Sequence, residues 1–594
     1  MGGMESSIWM AKGKSWAFAA IPYAVTAAAC LLFLIWFLDL SHHDLHYPIA
    51  AARGDCLFEG AIVKDILQTG WYTYNPFLGA PQEYRLYDFP MAEGVHVVLI
   101  RFLGVFSKNW AVVMNLFYLA QYVLCSLSAL FVFRRLRLPA LPSMAASLLF
   151  AFLPYHYLRS ERHLFLSAYY LIPLMVLVLL WIAQGEPLIL SNHITLKGWA
   201  SLGICILMGG GGIYYAFFAL LFLLVIAVRA LTGRQAWLRA RDALCCTAAI
   251  CVSLLVNLAP SLLFFMRSGT NGSVAKRVFV EADLYGLTIA QLLLPIQNHR
   301  IPAFAALKYN YMISLKGIIP ENDTMAPLGI VASAGFLLLI GIVLFGPGRL
   351  PRRQVLRPLA TLNLAAVVTA TLGSFGSLFA LFISPQIRCY DRISIYIAFF
   401  SLTGLLAAID SVMRLRPKLA GITGAGMAIL IVAGLFDLTP AAVPGRLANA
   451  AAFDSDRAFV RAIEAAVPSG SMILQLPYQE FPEHGFTNRM YDYDHFRGYL
   501  FSENLRWSYG AAKGRPEASW QMTLAGLPAA QLLNAAEKVG FGGIYIDRQG
   551  FTDGAVGLVN SLSSLLGKTP IENRNHNLAF LPLGQPARGP TGLP

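Results

Sequence analysis

The residues best suited to chemistry lie in two long polar stretches, 39–93 and 267–327, that interrupt an otherwise apolar chain. The first holds GDCLFEGAIVKDILQTG, which places Asp55, Glu59, Lys64 and Asp65 on a short amphipathic helix. Asp55 is expected to cap that helix and Gly70 to close it. Lys64 would snorkel to the headgroups. Just before it, SHHDLHYP sets Asp44 among His42, His43 and His46, a weak metal-ligand pattern beside plain interfacial hydrogen bonding. Just after it comes GWYTYNPFLGAPQEYRLYDFP. Trp71, Tyr72 and Tyr74 suit an aromatic belt at the headgroups. Asn75, Gly79, Pro81 and Asp88 instead imply one fixed loop shape, of the kind that holds function. The second stretch supplies Lys308, Lys316, Glu321, Asn322 and Asp323.

These residue types suit carbohydrate chemistry at a membrane surface. Aromatic faces stack on sugar C–H surfaces, and amides and carboxylates bind hydroxyls, roles open to Glu59, Tyr72, Tyr74, Asn75, Asp88 and Glu321. One carboxylate, Asp55 or Asp44, can deprotonate an attacking hydroxyl. A sugar delivered on a lipid phosphate leaves behind an anion that needs cationic contacts. SPQIRCYDR offers Arg388 and Arg392 for that task, LPYHYLRSERH offers Arg159 beside His156, Glu161, Arg162 and His163, and Lys316 adds another charge. Each arginine can equally be a salt-bridge partner, for Asp391 or for an acid of the first stretch.

The elements that must position these groups are membrane helices. Of 594 residues, 57% are hydrophobic and 13% charged, against about 25% charged in soluble proteins, and the mean hydropathy is +0.58. Apolar runs of about 20 residues recur along the chain, and eleven spans are expected, two of them joined at Gly209–Gly212. The formal net charge of +13 reflects cytoplasmic loops under the positive-inside rule rather than nucleic-acid binding. RRLRLP, RALTGRQAWLRARD, GPGRLPRRQVLRP and RLRPK all fall on the side of the N-terminus, so the N-terminus is expected inside and the C-terminus outside. The first run, Trp16 to Leu38, follows Lys12 and Lys14 and reads as a retained span. The eight cysteines show no CxxC or Cys/His zinc pattern. Pairing of Cys56 with Cys389 stays open.

The expected architecture is therefore a polytopic α-helical membrane protein of about eleven transmembrane helices, residues 1–437, with a C-terminal extracytoplasmic α/β domain, 438–594. SMILQLPY, FGGIYIDR and NLAFLPL read as strands; SDRAFVRAIEAAVP, LPAAQLLNAAEKVG and DGAVGLVNSLSSLLG read as helices. GFGGIYIDR lacks phosphate-loop spacing. The segment YQEFPEHGFTNRMYDYDHFRGYLFSENLRWSYGAAKGR suits either a contact surface between domain and membrane part or a cradle for acceptor sugars.

With GD, GWYTYNPFLGAP and YDFP in the first stretch, and LPYQEFPE, DYDHFRGYL, LRWSYGAAKGR and GIYIDR in the tail, the chain resembles bacterial membrane glycosyltransferases of the GT-C superfamily, in particular the YfhO-like group. The resemblance implies an inverting transfer from a polyprenyl-phosphate-linked sugar to a glycan or lipid-linked acceptor, on the outer face of the bacterial cytoplasmic membrane. It implies a first-loop carboxylate as base, which falls on Asp55 with Asp44 behind it. No cofactor is called for, and a divalent metal is left open. Two other classes stand beside this one. A lipid or glycan flippase or transporter would need charged or broken helices at mid-membrane. A non-catalytic envelope assembly protein would use the outer domain to bind a partner.

Overall fold

The structure, a computed structural model, describes residues 2–190, 193–231, 236–314, 325–416 and 450–584, with short pieces between 418 and 441. Among the described residues five helices are long and apolar enough to cross a membrane: Ala19–Phe37, Trp110–Arg135, Ile213–Ala230, Ala236–Ser268 and Tyr390–Leu415. The protein is a polytopic α-helical membrane protein carrying a domain built on a β-sheet. The expected count of eleven full-length spans is not reached among the described residues. Several apolar runs form shorter helices, such as Ala140–Ala151, Ile172–Gln184 and Gly329–Phe345. At 1.5 Å per residue helices of 12–17 residues reach about 18–26 Å, short of a ~30 Å hydrocarbon core. The third expected span ends at Ala151, and Pro154 opens a separate short helix, Pro154–Arg159. Part of the eleventh run, 424, 425, 427, 428, 431 and 432, lies outside the described residues.

The expected break at the glycines is present. Helix Leu196–Gly209 ends there and Ile213–Ala230 begins. A Cβ on Gly209 would stand 2.7 Å from the Ile250 carbonyl oxygen, so only glycine lets the turn lie against helix Ala236–Ser268. The basic segments gather at one end of the bundle. Arg352 pairs with Asp410 at 2.6 Å and donates to the carbonyls of Leu136 and Arg137, while Arg414 joins the same carboxylate. Helix Trp110–Arg135 leads from that end to the other, where Trp110 packs against Phe453 and Phe501 of the C-terminal region. Basic ends and sheet domain thus occupy opposite faces of the helical part.

The sheet has the order β4 (Arg506–Trp507), β3 (Met472–Leu476), β5 (Phe541–Asp547), β7 (Leu578–Pro582), β6 (Ile571–Glu572). β4, β3 and β5 are parallel, and β7 and β6 antiparallel. Alternating side chains divide its two faces. Leu474, Ile544, Ile546 and Leu581 pack with Leu532 and Val559 of the helices Ala529–Val539 and Val556–Leu566. Ile473, Tyr545 and Phe580 face the other way and join the core of the membrane part. The sheet is thereby welded to the bundle rather than tethered to it.

The weld uses the first polar stretch. The turn between two short strands, β1 (Tyr74–Asn75) and β2 (Tyr84–Arg85), lies along the exposed edge of β4. Trp507 donates to the Phe77 carbonyl at 2.8 Å, Ala80 to the Trp507 carbonyl at 3.0 Å, and Gly79 to the Tyr509 carbonyl at 2.9 Å. Arg506 clamps the carbonyls of Pro76, Pro81 and Gln82. Gly79 has φ 75°, and a Cβ there would meet the Glu83 backbone at 2.8 Å. The turn signals therefore mark a fixed shape, but its purpose is to cover a sheet edge that would otherwise stay unpaired.

Candidate functional site

Helix Asp55–Thr69 sits between the bundle and the sheet domain, with Cys56, Leu57, Val63 and Asp65 buried. Gly54, not Asp55, takes the cap position, at φ 58°. The Asp55 side chain is therefore not spent on its own helix, and no hydrogen bond to its carboxylate exists among the described residues. His163 Nδ1 stands 3.9 Å from it. Phe58, one turn on, stacks on Tyr493 at 4.8 Å and so joins this helix to the C-terminal domain. Lys64 does not snorkel: its ammonium donates to the carbonyls of Tyr499, Leu500 and Ser502, at the end of helix Phe496–Phe501.

A cavity of about 680 Å³ opens in front of Asp55. One part of its wall is Asp55, Glu59 and the end of the first stretch, Asp88 to Met91 and Glu93. The 3₁₀ turn Ser160–His163 supplies Arg162 and His163; the start of helix Ile213–Ala230 supplies Tyr214. Arg388 and Arg392 come from the entrance of helix Tyr390–Leu415, Arg277 from the second stretch, and Glu483, Asp492 and Tyr493 from the C-terminal domain. Phe165, Leu166, Leu258 and Phe265 make part of the wall apolar. Glu93 is held by the glycine turn: Val95 donates to the Gly210 carbonyl and Gly212 to the Ala92 carbonyl, at 2.9 and 3.0 Å.

The acids differ in state. Burial raises the Glu93 pKa to about 8. Burial, then the charges of Glu93 and Asp55, lift Glu59 well above the carboxylate range. Glu93 thus holds its proton at neutral pH. Asp492 is raised by burial to about 6. Asp55 is half-exposed toward the cavity yet ringed by protein; that burial and the charge of Glu483 raise its pKa, opposed by Arg162. Burial and then Arg159, Arg392 and Arg162 drive His163 well below its ordinary value, so its imidazole is neutral and the Asp55 contact is not an ion pair. Asp55 is thus a poised carboxylate with unspent acceptor capacity, as a general base requires.

The cations differ too. Arg388 already serves Glu281 at 3.2 Å and Glu483 at 3.8 Å. Arg277 is paired with Glu483. Arg162 and Arg392 have no carboxylate within ion-pair distance among the described residues, and Arg392 lies over the Tyr214 ring at 4.0 Å. These two guanidiniums are the free charges at the cavity.

Of the residues singled out from sequence, Asp55, Glu59, Asp88, Arg162, His163, Arg388 and Arg392 line the cavity. Asp88 does so with its carboxylate held by Arg515 at 2.7 and 2.8 Å. The others go elsewhere. Asp44 is exposed and accepts two hydrogen bonds from His46, at 2.9 and 2.8 Å. His42 pairs instead with Asp39. Tyr72 is buried and donates to the Met91 carbonyl. Tyr74, on strand β1, is exposed. Asn75 is buried and ties Asp65 to the Tyr499 hydroxyl. Arg159 is buried in an ion pair with Asp391 at 3.1 Å, the salt-bridge alternative realised. Lys316 and Glu321 lie outside the described residues. Cys56 and Cys389 are both free and buried. Among the described residues no group of three or more His, Cys, Asp or Glu is set to hold a metal ion.

Glu93 carries no local motif that marks it, while Glu483, Asp492 and Tyr493 fall within LPYQEFPE and DYDHFRGYL. The tail's cluster of acids and tyrosines was the available signal for the last three, and it serves as contact surface and cavity wall at once.

No protein-family model and no curated protein sequence matches the chain. Among solved structures it is similar to arabinofuranosyltransferase AftD from Mycobacteria, at 15% identity and TM-score 0.47, over 89% of this chain and 35% of that one. It is also similar to the Archaeoglobus fulgidus oligosaccharyltransferase, at 13% identity and TM-score 0.48, over 89% of this chain and 69% of that one. A third is ArnT from Cupriavidus metallidurans bound to undecaprenyl phosphate, at 14% and 0.47, over 97% of this chain and 100% of that one. The chain spans about a third of the arabinofuranosyltransferase's length.

Proposed function

We propose that the protein is a membrane glycosyltransferase of GT-C type, in the YfhO-like group, that moves a sugar from a polyprenyl-phosphate donor to a lipid-linked glycan or surface polysaccharide. In this reading residues 1–437 form the catalytic membrane part. Residues 438–594 form a domain on the outer face of the cytoplasmic membrane that roofs the site through Glu483, Asp492 and Tyr493.

One observation carries it: a cavity at the junction of bundle and domain joins an unspent carboxylate, Asp55, to two unpaired guanidiniums, Arg162 and Arg392, along a partly apolar wall. The acceptor hydroxyl loses its proton to Asp55 as its oxygen attacks the anomeric carbon. The bond from that carbon to the phosphate oxygen breaks, the electron pair leaves with the polyprenyl phosphate, and the configuration inverts. Arg162 and Arg392 meet the phosphate charge in a partly desolvated site, where such contacts are strongest. Phe165, Leu258 and Phe265 suit the first units of the prenyl chain. Arg388, Glu59 and Asp88 shape the wall and orient the sugar.

Proteoliposomes of the purified protein, incubated with radiolabelled polyprenyl-phosphate sugars and an acceptor glycan, test this directly. Label appearing in the glycan supports transfer. Label carried across the bilayer still on its lipid would make the protein a transporter and overturn the reading, as would neither event.

A further inference from the structure

A second cavity, of about 210 Å³, lies on the other side of the same chain segments. Its walls come from Arg53 and Leu57, just before and within helix Asp55–Thr69, from Tyr491, and from the sheet domain. Arg53 and Tyr491 each stand next to residues of the larger cavity. Arg53 is two residues from Asp55, so their Cα atoms are at most about 7 Å apart; Tyr491 adjoins Asp492. The volume is below the ~300–1,000 Å³ of typical small-molecule pockets, which suits a single ring of a longer chain.

The lining has the composition of a sugar site. Gln549, Asn575 and Asn577 line it, and their carboxamides have no hydrogen-bond partner among the described residues. Phe453, Phe501 and Leu578 give it an apolar floor. Its charged residues fall into two groups. Arg497 is satisfied by Asp494, Asp456 and Asp547, at 2.9, 3.4 and 3.4 Å, and Asp456 also accepts from Asn573. That leaves Arg53, which donates to the Tyr491 hydroxyl at 3.0 Å and lies over its ring at 5.0 Å, and Arg489, whose guanidinium has no partner among the described residues. Both side chains are exposed, and neither has a carboxylate within ion-pair distance among the described residues. A guanidinium forked toward a carboxylate or phosphate is the expected use of such a group.

We propose that this second cavity holds a residue of the acceptor glycan that bears an anionic group, a carboxylate or a phosphate, next to the residue whose hydroxyl is glycosylated. Arg489 binds the anion, Arg53 supports it, and Gln549, Asn575 and Asn577 read the ring hydroxyls. The role as acceptor subsite rests on the transfer reading above; binding itself does not.

The test titrates full-length protein in nanodiscs with three probes: a hexuronate disaccharide, a hexose 6-phosphate, and the neutral disaccharide matched to the first, followed by calorimetry. The expected result is that one or both anionic probes bind at least tenfold more tightly than the neutral one. Arg489→Ala and Asn575→Ala should each weaken that binding by tenfold or more, while Asp55→Asn leaves it unchanged. The uronate and phosphate arms tell which anion is preferred. Equal binding of the neutral probe, or anion binding indifferent to Arg489→Ala with the variant folded as judged by its proteolysis pattern, would overturn the site. If binding behaves as expected but no sugar transfer is ever detected, the transfer reading fails while the site stands.

Discussion

The contact between Asp88 and Arg515 joins three distant parts of the chain, and its loss should be large. Asp88 ends the first polar stretch and Arg515 opens helix Pro516–Ala525 of the sheet domain. Arg515 makes a two-pronged bond to the carboxylate at 2.7 and 2.8 Å, and also donates to the carbonyls of Ser268 and Gly269 in the second stretch, at 2.8 and 3.0 Å. The side chains are 3% and 17% exposed. In Arg515→Met the carboxylate keeps one partner, Asn271 Nδ2 at 3.1 Å, and loses its countercharge at a position only 3% exposed. Removing one member of a buried pair costs about 3–5 kcal/mol, which is about two to three and a half orders of magnitude in the opening equilibrium. Asp88→Asn in the same background removes the stranded charge, so the double variant should be more stable than Arg515→Met alone. Pulse proteolysis of the purified protein across a urea series in micelles reads the population of the opened form, and the two singles with the double close a cycle. A cost for Arg515→Met below about 1 kcal/mol, or a double variant whose cost is the sum of the singles, would refute the claim that this pair holds domain and bundle together.

Other outcomes follow from the site. Asp55→Asn should lower transfer by about 10²- to 10⁴-fold, the usual worth of a general base, with expression and proteolytic stability unchanged; retained activity removes Asp55 from the reaction. Arg392→Ala should impair use of the lipid-phosphate donor more than Arg388→Ala does, because Arg388 is already held by Glu281 and Glu483, and donor kinetics of the two variants decide it. Transfer should fall on the acid side at a higher pH than an ordinary aspartate would give, since Asp55 must be ionised to accept a proton and its pKa is raised. Glu93 gives a separate signature. Its pKa is raised from 4.5 to about 8 in the folded protein, so the folded state binds the extra proton and stability declines as pH rises through that interval. Glu93→Gln should flatten that slope in a pH series of urea titrations.

The membrane class was legible in the chain because composition reports it directly: a sequence with 13% charged residues cannot cover a soluble surface. The clustering of RRLRLP, the Arg352 segment and RLRPK at one face was also legible, since charge asymmetry acts loop by loop. The strands β3, β5 and β7 fall on their apolar runs because alternation is a local property. Span length was not. Pro154 ends one helix, and packing lets helices of 12–17 residues stand beside full spans, which no hydropathy window distinguishes.

At the candidate site, the sequence alone could nominate residue types and no more. Asp55, Glu59, Arg388 and Arg392 could be chosen because their chemistry suits a sugar and a phosphate. Only the fold decided that Arg388 is already paired and Arg392 is not, that Arg159 is locked to Asp391, and that Asn75 is buried beneath the sheet domain. It also decided that GWYTYNPFLGAPQEYRLYDFP covers the edge of β4 and reaches the cavity only at its end. Those outcomes depend on partners more than 150 residues away in several cases, as with Asp88 and Arg515 or Arg159 and Asp391. A charge is free or spent according to what stands within about 4 Å of it, and that is a property of the folded chain alone.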